Sequence, residues 1–233
     1  MNYLANFLTG LSLAGGFVAI IFSLESHFTY ASWAIILSVI FDGLDGQIAR
    51  RNPVPSEFGK QLDSLVDVVS FGIAPSILGY IFVYRHFSYL AISALFIYLV
   101  CSVTRLAKYN ITPKEELTNY FYGLPTTASG GLVASFILIF RRRETEVLPQ
   151  FVPAAFLLIV LLLAFLMVSR VRYLNLDGLK QVFGRNTIFV VLFFIAVLIT
   201  AAFLKKAGVV FFALFLIYLI FSPFVVKRLN RSS

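Results

Sequence analysis

The sequence is short of nearly everything that makes a polar surface. Only 13% of its 233 residues are charged and only 11 are Asp or Glu, where soluble domains carry about 25% charge. At 60% hydrophobic and a mean hydropathy of +0.91, the chain cannot cover a water-facing globule, so it reads as a membrane protein. Its single cysteine, Cys101, excludes an intrachain disulfide and leaves a thiolate metal site without ligands. The two histidines, His27 and His86, stand in short polar connections with no second ligand at metal spacing and read as interfacial loop residues. No Gly/Ser linker, low-complexity tract or fixed-period repeat divides the chain.

What is present is long apolar runs. A bilayer core of about 30 Å needs roughly 20 apolar residues per helix. That criterion predicts an all-α, polytopic helix bundle of about eight spans, near 3–24, 29–51, 57–84, 88–109, 124–140, 149–169, 186–204 and 208–226. The fifth is short and begins with the small-residue run TTASGG. The N-terminus lacks a basic leader region, and Asn6 and Thr9 interrupt its apolar run, so it reads as a retained first membrane helix. With the N-terminus inside, 13 of the 19 lysines and arginines fall on the cytoplasmic side and 6 outside, the bias expected of cytoplasmic loops. The triplet Arg141–Arg143 runs against it. The formal charge of +8 suits anionic headgroups and a phosphate-bearing substrate, and needs no nucleic acid.

The scarce acids are concentrated. Four of the five aspartates lie in FDGLDGQIARRNPVPSEFGKQLDSLVD: Asp42, Asp45, Asp63 and Asp67. On helices, residues three or four apart share a face, so each pair points one way. Between the pairs, Asn52-Pro53-Val54-Pro55-Ser56 forces a turn, with Ser56 as N-cap and Glu57 in the first turn of the next helix. Asp45 and Asp63 each stand about 10 Å from that turn at the helical rise, and Asp42 and Asp67 about 15 Å. The hairpin therefore predicts four carboxylates at matching depths. Acids inside membrane helices are costly and functional by default. Arg50 neutralises one of them, and a salt-bridge network alone leaves surplus acid. All-oxygen ligands then call for a hard divalent ion such as Mg2+, Mn2+ or Ca2+. Gly43, Gly46, Ala49 and Gly59 beside these acids allow close helix packing or leave room for a ligand.

Asp42-Gly43-Leu44-Asp45-Gly46-Gln47-Ile48-Ala49-Arg50, followed at fixed spacing by Gly59, Asp63 and Asp67, resembles the signature of the CDP-alcohol phosphatidyltransferases. The resemblance implies a membrane enzyme of about six core helices, typically homodimeric, that needs divalent metal. It moves a phosphatidyl or phospho-alcohol group from a CDP-linked donor to an alcohol. It further implies that Asp42, Asp45 and Asp63 ligate metal and that Asp67 completes the cage and acts as general base. Gly46, Ala49, Arg50 and Gly59 would bind the CDP portion. Asn6 and Thr9 resemble a first-helix element of the family, with Ala5 where proline is usual, and would join them.

Within that family, DVVSFGIAPS (67–76), TRLAKYNI (104–111), GLPTTASGG (123–131) and MVSRVRY (167–173) resemble the integral-membrane phosphatidylserine synthases. The expected reaction joins CDP-diacylglycerol and L-serine to give phosphatidylserine and CMP. Arg105 and Lys108, with Gly123 and Thr126 shaping the pocket, are the expected serine contacts. Residues 1–175 would form the catalytic bundle, and 176–233 a C-terminal helix pair with no assignable motif. The enzyme is expected in the plasma membrane, its active site facing the cytoplasm. Alternatives are another acceptor (glycerol 3-phosphate or inositol), an archaeal ether-lipid donor, an aspartate-rich membrane prenyltransferase, or a cation-coupled transporter. The transporter lacks support from any inverted repeat of the acidic hairpin.

Overall fold

The computed structural model describes residues 3–50, 57–112, 120–140, 149, 151–175 and 207–232. Helix α1 (Tyr3–Leu24) runs into α2 (Phe28–Arg50). Ser26 takes a left-handed backbone (φ 61°), and the His27 amide donates to Phe22 O at 2.8 Å. This is the six-to-one closure of a Schellman turn, made here without glycine. Helix α3 (Glu57–Asp67) continues without a break into a π-helical turn (Val68–Ile73) and then α4 (Ala74–Ile111). Non-helical backbone at Phe87 (φ −145°, ψ 58°) breaks α4, so that Glu57–Tyr84 and His86–Ile111 form two separate spans. Strand β1 (Tyr120–Tyr122) leads into α5 (Thr126–Ile139). After α6 (Phe151–Val168) comes strand β2 (Arg172–Leu174), and α7 (Ala207–Ser232) closes the described chain.

Six of these segments are long and apolar enough to cross a membrane, as the hydropathy reading predicts. The chain is an all-α, multi-pass membrane bundle. The expected span at 186–204 lies outside the described residues. The expected short fifth span is α5, whose 14 residues reach about 21 Å, less than a bilayer core. Its position explains the length. From Thr126 to Leu138 every residue but Thr127 is buried, so α5 is the central post of the bundle and presents almost nothing to lipid. The small residues of TTASGG let neighbours approach. A Cβ at Gly130 would press on Phe71, and one at Gly131 would overlap the Phe215 ring.

Hydroxyls tie the apolar helices together where water cannot. Ser38 Oγ donates between α2 and α1 to Ser12 O at 3.0 Å, and Ser70 Oγ reaches the same carbonyl at 3.0 Å. The wide π turn also presents Phe71 O to Tyr98 OH at 3.0 Å. A π turn shifts the helix register locally and is common beside functional sites. Here it follows Asp67 directly and is gripped by α1, α4 and α5.

Candidate active site

The acidic residues come from α2 and α3. Asp42, Asp63 and Asp67 each present one carboxylate oxygen such that all three lie within 4.8 Å of one another. Asp67 is 8% exposed, and its Oδ1 is buried without a hydrogen-bond partner in the described structure. Three close carboxylates with an orphaned buried oxygen fit a hard divalent cation, which would supply the missing positive charge. Asp45 is buried one turn along α2, and its Oδ2 lies 2.7 Å from Thr9 Oγ1. That hydroxyl also lies 3.0 Å from Ala5 O, but it has one proton, and the shorter, charged acceptor is the stronger claim on it. Thr9 thus meets a carboxylate, while Asn6, one turn earlier, is half-buried. Gly46 and Gly59 are also half-buried, and space is open around Gly43. The side chains of Ala49 and Arg50, and the turn at 51–56, lie outside the described residues.

The basic residues come from elsewhere. Arg105, on α4, is 8% exposed. Its Nη1 donates to Thr126 Oγ1 at 3.2 Å, its Nε is buried without a partner in the described structure, and its guanidinium faces the rings of Tyr109 and Phe121 at 5.6 and 5.9 Å. The charges of Asp67 and, more weakly, Asp42 act on it. The next residue of α5 turns the other way: Thr127 Oγ1 donates to Asp42 Oδ2 at 3.1 Å. The first turn of α5 therefore holds the arginine with one hydroxyl and the carboxylate group with the next.

Beyond Arg105 opens a cleft of about 520 Å3, lined by Lys108, Tyr109, Tyr122, Ser169, Arg170 and Arg172 among others. Its wall is the two-stranded sheet, antiparallel with Tyr120 opposite Leu174 and Tyr122 opposite Arg172. The Arg172 guanidinium stacks 4.7 Å from the Tyr120 ring and 5.6 Å from that of Tyr122. Gly123 makes the bend into α5 with a φ of +75°, its amide donating to Val171 O at 2.8 Å. A side chain there would strike Met167 O, so this bend requires glycine. On the far side, Lys60 Nζ donates to Asn110 O and Asn110 Nδ2 to Ser64 Oγ, both at 2.8 Å. That pair of bonds fixes α3, with Asp63 and Asp67, against the end of α4 that carries Arg105.

The expected residues thus fall at two places that meet at Arg105. Sequence reasoning assigned no role to Tyr109, Phe121, Tyr122, Arg170 or Arg172, and it expected Thr127 only as the end of a pocket-shaping Gly123–Thr127 loop. The one available signal was the basic pair in MVSRVRY, just past an apolar run; nothing in the sequence paired that segment with residues 120–122.

Residues 2–168 match the family model described as CDP-alcohol phosphatidyltransferase. The chain is similar to the CDP-diacylglycerol–serine O-phosphatidyltransferase of Helicobacter pylori, 34% identical over 221 residues, covering 91% of this chain and 87% of the relative. It is also similar to the archaetidylserine synthase of Methanothermobacter thermautotrophicus, at 32% over 178 residues, 76% of this chain and 71% of the relative. The Saccharomyces cerevisiae CDP-diacylglycerol–serine O-phosphatidyltransferase is 32% identical over 154 residues, 60% of this chain and 55% of its own length.

Proposed function

This chain belongs to the CDP-alcohol phosphatidyltransferase family, and from that premise we propose that it transfers the phosphatidyl group of CDP-diacylglycerol to L-serine, releasing CMP. The observation that carries the reading is one continuous site with a carboxylate group at one end and a cationic cleft at the other, joined by Arg105, Thr126 and Thr127. Relatives named for serine transfer support the acceptor. Membership in a transferase family leaves the transporter and prenyltransferase readings without support.

Asp42, Asp63 and Asp67 would hold a divalent metal, Mg2+ or Mn2+, with Ca2+ also suited to the all-oxygen donors, and Asp45 as the fourth carboxylate of the set. When bound there, such an ion would supply the positive charge that the diphosphate and the leaving oxygen need in an in-line displacement. Gly46, Ala49, Arg50 and Gly59 flank the CDP portion, with Asn6 and Thr9 behind it on α1. The serine carboxylate enters the cationic cleft and meets Arg105, a planar donor fork suited to it, with Lys108 at the mouth. Asp67 takes the serine hydroxyl proton within hydrogen-bonding reach. The serine oxygen then bonds to the lipid-bearing phosphorus, the bond from that phosphorus to the bridging oxygen breaks, and CMP departs with the electron pair.

We assign the chemistry to residues 1–175, which carry every residue named here, and treat 176–233 as a C-terminal addition. The lysine and arginine bias supports a cleft facing the cytoplasm; we place the enzyme in the plasma membrane and take it to work as a homodimer, as its family typically does. An acceptor panel tests the reading. Purified protein given CDP-diacylglycerol releases CMP with serine and forms phosphatidylserine. CMP release with glycerol 3-phosphate or inositol in place of serine would keep the family and remove the serine assignment.

A further inference from the structure

The cleft wall is held from an unexpected direction. Strand β2 has β1 on one side, and on the other its last residue, Leu174, meets α7. The Leu174 amide donates to Ser222 Oγ, and Tyr218 OH donates to Leu174 O at 3.0 Å. Tyr218 and Ser222 are four apart, so they share one face of α7 and grip both backbone polar groups of a single residue. The Tyr218 ring packs 5.9 Å from that of Tyr173, the neighbour of Leu174. Leu174 pairs with Tyr120 and Tyr173 with Phe121, and Phe121 is one of the two rings facing Arg105. Helix α7 is seated for this by close packing on α5: a Cβ at Gly131 would overlap Phe215, and one at Gly208 would press on Leu138 and Ile139. Tyr173, Leu174, Tyr218 and Ser222 lie beyond the family-matched stretch, which ends at 168.

We propose that Tyr218 and Ser222 are positioning residues for the acceptor cleft, acting through Leu174 on the sheet that carries Arg172 and backs Arg105. The C-terminal helix thereby sets acceptor affinity while leaving the carboxylate end untouched. This rests on the cleft being the acceptor end.

Steady-state kinetics of the full-length enzyme in detergent, on Tyr218→Phe, Ser222→Ala and Ser222→Thr, decide it. Losing either hydroxyl raises the serine KM on the order of fivefold, the loss expected for one buried hydrogen bond. The kcat, the CDP-diacylglycerol KM and the Mn2+ concentration for half activity stay within about twofold, and Ser222→Thr, which keeps the acceptor oxygen, recovers most of the affinity. An unchanged serine KM overturns the proposal. So does a parallel fall of every parameter with thermal stability, or failure of the isosteric Tyr218→Phe to fold, since either marks a purely structural helix. If wild type uses a different acceptor, the serine reading fails, and the KM for that acceptor in the same variants decides this inference separately.

Discussion

The carboxylate group and the cationic cleft meet at Arg105 and the first turn of α5, yet they are assembled in opposite ways. Three aspartates of α2 and α3, helices adjacent in sequence, bring their carboxylates within 4.8 Å of one another, with Asp45 beside them on Thr9. The cleft draws on the end of α4 with β1 and on the end of α6 with β2, two stretches tens of residues apart in sequence, joined where β1 pairs with β2. A site made of consecutive helices encodes its geometry locally. One stitched from distant segments depends on everything that holds the stitches. The two ends should therefore answer differently to substitution.

The largest effect belongs to the carboxylate end. Asp67→Asn removes a general base and one negative charge, and should cut kcat by about a thousandfold, with CMP release from CDP-diacylglycerol as the readout. Chelation with EDTA should abolish the wild-type rate, and Mg2+ or Mn2+ should restore it; full activity in chelator would remove the metal from the account. Next comes the junction. Arg105→Lys keeps the charge but loses the planar fork, so serine KM should rise by about ten- to a hundredfold while the CDP-diacylglycerol KM holds. Equal changes in both constants would merge the two ends that the comparison separates.

Smaller effects sharpen it further. Thr127→Val removes the hydroxyl that donates to Asp42 Oδ2, and should raise the metal needed for half activity by about tenfold, in the range for a group that orients a metal ligand. Arg172→Ala, in the cleft wall and stacked on two tyrosines, should raise serine KM by a few fold at most and leave the metal requirement alone.

The same contrast explains what the sequence made legible. Asp42, Asp63 and Asp67 were found because acids are rare in this chain and their spacing is a helix property. Asp45 was placed in the same group by depth counting, but depth does not fix rotation: its Oδ2 meets Thr9 on α1, and a contact between helices cannot be counted along one of them. Most spans were legible from hydropathy. The π turn after Asp67 was not, because six apolar residues look alike in an α or a π turn. The clip of β1 on β2 was invisible too, since three-residue strands carry no period, and Tyr120–Tyr122 finds its partner some fifty residues away. The left-handed backbone of Gly123 was equally hidden, since a glycine in sequence does not say which turn it makes.

The most direct test of the division is metal binding measured without turnover. Mn2+ titration followed by electron paramagnetic resonance, on detergent-purified wild type, Asp63→Asn and Arg105→Lys, reads the carboxylate end alone. The account predicts tight binding in wild type and in Arg105→Lys, and binding weakened by at least about tenfold in Asp63→Asn. Undiminished Mn2+ binding in folded Asp63→Asn would contradict it.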